Sequence, residues 1–129
     1  MSEAASSAVT LGRAVSAHHA LKTKLQSAAI SGTKLDVATI RRDDCCDLGI
    51  WLQTDGRRLY AGRPEFSNLL EKHKSFHEVA SVAANITNAE GFVTGGIHLR
   101  AGSQFSFATI DVVVAITLLK AVVEGVNSQ

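Results

Sequence analysis

Pro64-Glu65-Phe66-Ser67-Asn68-Leu69-Leu70-Glu71-Lys72-His73-Lys74-Ser75-Phe76-His77 is the stretch whose reading decides the fold. Phe66, Leu69, Leu70, His73, Phe76 and His77 fall at steps of mostly three and four, and Ala80, Ala83 and Ala84 continue the series. That spacing predicts a helix from residue 64 to about 89, with its apolar side chains and both histidines on one face. Pro64 suits the first helical position, where a missing N–H is no loss. Residues four apart lie about 40° apart around a helix axis, so His73 and His77 point the same way from successive turns.

Upstream, residues 3 to about 30 contain no proline and one glycine, Gly12. Val9, Leu11, Val15, His18, Leu21, Leu25 and Ala29 recur there at steps of two to four, which predicts a second amphipathic helix with Lys22 and Lys24 toward water. Ser31-Gly32 ends it, because glycine takes the left-handed conformation of a helix C-terminus without a steric penalty. His18 lies on the apolar stripe, and His19 is rotated from it by about 100°. Residues 33–44 read as a loop in which Asp36 caps a helical turn over 37–42. Asp43 or Asp44 then stands as the N-cap of a short helix that brings Leu48, Trp51 and Leu52 to one side, with Cys46 in its first turn. A helix N-terminus favours thiolate over thiol. Thr54-Asp55-Gly56 stops that segment, and residues 57–63 read as a polar connection.

Downstream, residues 92–124 are expected to form one long helix with weak points at Gly95, Gly96 and Gly102; the alternative is a turn followed by a helix over 103–124. Val112-Val113-Val114 is the only β-like run, and its helical neighbours outvote it. The whole describes an all-α fold: an antiparallel four-helix bundle in which a short helix carries Cys46, in a single domain over residues 1–129 with its core at about 14–124.

Composition excludes several functions. Thirteen basic and twelve acidic side chains among 129 residues leave a net charge of +1, which gives no electrostatic footprint for nucleic acid or an anionic membrane. Residues 1–10 lack the basic and apolar regions of a secretion signal, and the run 112–123, interrupted by Thr117 and Lys120, falls short of a membrane span. The two cysteines, Cys45 and Cys46, are adjacent and cannot staple distant segments. These features predict a cytoplasmic protein with reduced thiols and no membrane insertion.

A thiol and two imidazoles within the stretch 46–77 suit zinc, which takes four N or S donors in a closed structural site. Cys46, His73 and His77 make three, and His18, on the apolar stripe of another helix, is the expected fourth. His19 and His98 read as surface or hydrogen-bonded residues. Cys45 reads as a bystander, or as a resolving thiol when Cys46 is oxidised.

The order His18, Cys46-x-Leu48-Gly49-x-Trp51, His73-x-x-Phe76-His77 resembles the chemoreceptor zinc-binding domain family, with the likeness running from about residue 14 to 122. In that family the first histidine precedes a Trp-Lys pair by three and four residues. Leu21-Lys22 stand at that offset from His18, which selects His18 over His19 with one departure, and Ile50 departs where the family has Lys or Arg. The resemblance implies a bacterial cytosolic helical sensor that holds Zn2+ through three histidines and one cysteine. It also implies attachment to a chemoreceptor or diguanylate cyclase and a tendency to homodimerise. Its signal would be loss of zinc, or oxidation of the cysteine by agents such as hypochlorous acid. A homodimer is expected on physical grounds too, because a small bundle with apolar stripes on long helices keeps one partly exposed.

Three other readings compete. A zinc hydrolase would need an open coordination position and a base; Glu78 follows His77, but the HExxH arrangement is absent and four protein ligands leave no place for water. A di-iron centre needs paired Glu-x-x-His motifs, which Glu65, Glu71 and Glu78 do not supply. A purely structural zinc site is the nearest rival.

Overall fold

A computed structural model describes the backbone of residues 2–44, 46–99 and 103–125, with side chains for all of these except 90–99. Among the described residues six helices follow in order: α1 (Glu3–Ser31), α2 (Val37–Arg41), α3 (Asp47–Gln53), α4 (Asp55–Tyr60), α5 (Pro64–Leu99) and α6 (Gln104–Val123). There is no strand among the described residues.

Local chemistry explains most of the boundaries. The Ser2 hydroxyl accepts the Ala5 N–H at the start of α1, and Gly32, at φ 75°, ends it in the left-handed conformation. Asp36 caps α2 by accepting from the Thr39 N–H, and Ser103 caps α6 by accepting from Ser106. Each such cap satisfies one of the N–H groups that a helix start leaves unpaired and contributes about 1 kcal/mol.

The three long helices and the broken return between them make the four arms of the bundle. His18 of α1 packs against His73 and Phe76 of α5, and the end of α1 lies beside Thr87 and Asn88, so α1 and α5 run parallel. The chain between them runs back the other way. Asn88 holds Leu35 through both its amide groups, at 2.8 and 2.9 Å; Ile40 lies beside His77, Cys46 beside His73, and Arg58 pairs with Glu3. This fourth arm is split into α2, α3 and α4. The last helix, α6, lies antiparallel to α1, with Lys120 over Gly12 and Phe105 against the Phe76 ring that touches His18.

Leu11, Leu25, Phe66, Leu69, Phe76, Phe105, Val112, Ile116 and Leu119 are buried in the centre. Each contributes about 1.5–3 kcal/mol by leaving water. The opposite face of α6 is apolar as well: Phe107, Ile110, Val114 and Leu118 are all exposed.

Four expectations change. The helix that begins at Pro64 continues through Gly91, Gly95 and Gly96 to Leu99, and a new helix starts at Gln104; one helix over 92–124 is therefore wrong. The Ser103 cap gives a start signal that a long helix would waste. Residues 55–60 form α4 instead of a polar connection. A change of backbone direction at Thr54, φ −116° and ψ −102°, separates α4 from α3 without ending helical structure. The Asp43 and Asp44 side chains do not cap α3; Cys46 does. Finally, α6 over Gln104–Val123 has the length and composition of a membrane span, with mean hydropathy 2.0, because it starts eight residues before the run considered from sequence. Its inner face packs against α1 and α5, and only 28% of the span is buried.

Candidate metal centre

Helix α5 delivers two of the polar groups in this core. His73 and His77 are both buried, and their Nε2 atoms lie 3.0 Å apart. Helix α1 brings His18, also buried, with its ring centroid 5.2 Å from that of His73 and 5.8 Å from that of His77. His19 is exposed on the outer side of α1. The side chain of His98 and all of Cys45 lie outside the described residues.

Cys46 arrives from the fourth arm as the N-cap of α3, its Sγ accepting the Gly49 N–H at 3.4 Å. The Cys46-x-Leu48-Gly49-x-Trp51 spacing has a packing cause. A Cβ on residue 49 would run into the carbonyl oxygen of Asp43, so only glycine lets the chain before Cys46 lie this close to α3. Leu48 and Trp51 are buried from the next turn. The face of the Trp51 ring covers Gly56, where a Cβ would come within 2.7 Å of two ring carbons.

One donor atom from each of His18, Cys46, His73 and His77 lies within 4.8 Å of all the others. The Cys46 sulfur is 3.2 Å from His73 Nε2 and 3.7 Å from His77 Nε2. Zinc–nitrogen bonds of about 2.0–2.1 Å and a zinc–sulfur bond of about 2.3 Å set tetrahedral edges of about 3.3 Å between nitrogens and about 3.5 Å between nitrogen and sulfur. The three separations among Cys46, His73 and His77, 3.0, 3.2 and 3.7 Å, are of that size, and the borderline N and S donors are those zinc prefers.

Two of the imidazoles are already oriented. The Nδ1–H of His18 donates to the Ala14 carbonyl at 2.7 Å, and the Nδ1–H of His77 donates to the Ile40 carbonyl at 2.8 Å. Each bond fixes the tautomer and leaves the Nε2 lone pair facing the cluster. The Ala14 contact follows from helical spacing. No sequence signal marks Ile40, whose carbonyl is presented by the turn that α2 makes against α5.

Burial favours the neutral form of two of the imidazoles, His18 and His73. Burial lowers the pKa of His18, with the charge of His77 adding to it and the Ala14 hydrogen bond opposing it. Burial also drives His73 down to about 3, helped by His77 and His18. For Cys46, burial pushes the thiol up in the metal-free protein, against the N–H groups of Gly49, Leu48 and Cys46 itself. The helix terminus acts in the expected direction, but the loss of hydration outweighs it.

A family model for the chemoreceptor zinc-binding domain matches residues 18–84, just over half of the chain, from His18 past His77. The protein belongs to the chemoreceptor zinc-binding domain family. Comparison with curated proteins and with solved structures gives no significant match. Within this chemoreceptor zinc-binding domain, His18, Cys46, His73 and His77 are a set that could form a metal site.

Proposed function

We propose that the four side chains hold one Zn2+ as a His3Cys tetrahedron, and that the domain is a non-enzymatic sensor whose state modulates a signalling partner. The observation that carries this reading is the unequal mounting of the donors. Three sit on the long helices α1 and α5, whereas Cys46 sits at the start of a seven-residue helix in the broken fourth arm. Zinc supplies a Lewis-acidic centre that keeps the sulfur as thiolate at neutral pH. Two-electron oxidation of that thiolate by hypochlorous acid yields sulfenic acid and chloride, and the sulfenic acid is a far poorer ligand. The Cys46 segment at the start of α3 then loses its link to α5 while the histidine scaffold and the Leu35 and Ile40 contacts of the fourth arm stay in place, a local event with a global readout. Removal of zinc would release the same segment.

The partner expected for such a domain is a chemoreceptor or a diguanylate cyclase, on the same chain or a separate one, in the cytoplasm. The exposed row on α6 supports a homodimer, which sedimentation of the protein and of Ile110→Lys would test: a dimer that becomes a monomer is expected, and an unchanged species would refute this face. A purely structural zinc site is the second reading, favoured by the burial of all three histidines. A hydrolase lacks support, since Glu78 is exposed away from the cluster. Sub-stoichiometric hypochlorous acid, with a chelating dye to follow metal, separates sensor from structural site. The sensor releases zinc in proportion to Cys46 oxidation; absence of release, or equal release from Cys46→Ser, would leave the structural reading.

A further inference from the structure

A cavity of about 620 Å3 lies between α1 and α3. Its wall includes His18 and Cys46 but neither His73 nor His77, so one edge of the four-donor cluster faces it. Cys46 is also the only one of the four that is not fully buried. The cavity is large enough for a small molecule. Its rim carries Arg13 and Asp47, both exposed and of opposite sign, while Ala14, Leu48 and Trp51 line it as buried apolar surface. Opposite charges at the rim draw in neither sign. A charged reagent that passed them would lose hydration against the buried apolar surface of Ala14, Leu48 and Trp51.

We propose that this cavity is an inlet that admits small uncharged electrophiles to the Cys46 sulfur and holds back charged ones, with Thr10 and Ala17 of α1 setting its bore. The inference rests on the reading of Cys46 as a metal-bound thiolate and adds the route and the chemical class of what reaches it. Methyl methanethiosulfonate is a suitable neutral probe. The Cys46 thiolate attacks its sulfenyl sulfur, a disulfide bond forms, the bond to the sulfonyl group breaks, and methanesulfinate leaves with the electron pair. The product carries no anionic sulfur, and the tether of α3 is lost.

The test compares this probe with its sulfonatoethyl (anionic) and trimethylammonioethyl (cationic) analogues on zinc-loaded Cys45→Ser protein. Adducts on Cys46 are counted by mass spectrometry, and each rate is divided by the same reagent's rate on free cysteine. The neutral probe is expected to lead both charged ones by about tenfold or more, the desolvation of an ion being the difference. Ala17→Leu and Thr10→Leu, which fill the inlet from a helix surface, are expected to slow the neutral probe by about tenfold while zinc content stays at that of the parent. Equal corrected rates for the three reagents would overturn the proposal, as would unchanged rates in the filled variants. Should Ala17→Leu lose zinc, Thr10→Leu decides the second arm. Failure of the zinc reading appears separately, as no metal in untreated protein, because the adduct is counted with or without it.

Discussion

Gly49→Ala tests whether the site depends on the close approach of two backbone segments. The added methyl would strike the Asp43 carbonyl oxygen and stand 2.9 Å from its carbon and 3.1 Å from the Asp44 Cα. All three are backbone atoms, so no side chain can swing aside. Relief requires moving the segment that leads into Cys46, at about 1–3 kcal/mol for overpacking of this kind. Alanine returns up to about 1 kcal/mol through its higher helix propensity, so metal-free stability should fall by no more than about 3 kcal/mol. The displacement has a larger effect on the centre. The segment that moves carries the sulfur, and the Gly49 N–H that orients it moves as well; loss of an orienting contact lowers metal affinity by about 10–100-fold. Gly62→Ala is the control, since a Cβ there meets nothing within 4 Å. Competition titration of zinc against a chelating dye, with urea melts of the metal-free proteins, separates the two effects. Zinc affinity for Gly49→Ala within about twofold of the parent, far inside the range for orienting contacts, would refute the reasoning.

His18→Ala should loosen zinc and His19→Ala should leave it in place, because only His18 faces the cluster; the opposite result in a zinc titration would reverse the assignment. Zinc binding at pH 7 should release the Cys46 thiol's proton, since metal displaces the protons its ligands still carry. His18 and His73, both held below 6.5, contribute none. Calorimetry in buffers of different ionisation enthalpy would count the protons, and release of more than two would contradict a neutral His18 and His73. The metal-free protein should weaken with acid: His73 titrates at about 3 when folded against 6.5 for the free group, so the unfolded chain binds the extra proton. Stability is then intact above pH 6.5 and falls by up to about 4–5 kcal/mol as pH drops from there toward 3. Urea midpoints that stay level from pH 7 to 4 would refute this.

Much of this arrangement was legible in the sequence because it depends on periodicity. The step from His73 to His77, and the place of His18 on the stripe of α1, follow from 3.6 residues per turn, and the structure brings both faces together. The end of α5 was not legible, since glycine weakens a helix by only about 1 kcal/mol and neighbouring packing overrides it. The Ser103 cap did mark the start of α6. The role of Cys46 as N-cap was hidden by two aspartates better suited to capping, and only the contact of Gly49 with Asp43 shows why the helix starts later. Nothing local marks the Ile40 carbonyl that orients His77, because α2 has no fully buried residue and its position is set by distant contacts: Val37 and Ile40 packing on the core, and the Asn88 and His77 bonds across to α5.

The central claim is that His18, Cys46, His73 and His77 hold a single zinc. Metal analysis together with zinc-edge X-ray absorption on protein purified without chelator tests it most directly. The account predicts one zinc per chain, with three nitrogen neighbours at about 2.0–2.1 Å and one sulfur at about 2.3 Å, the sulfur shell vanishing in Cys46→Ser. Protein that holds no zinc, or a zinc shell without sulfur in the parent, would contradict it.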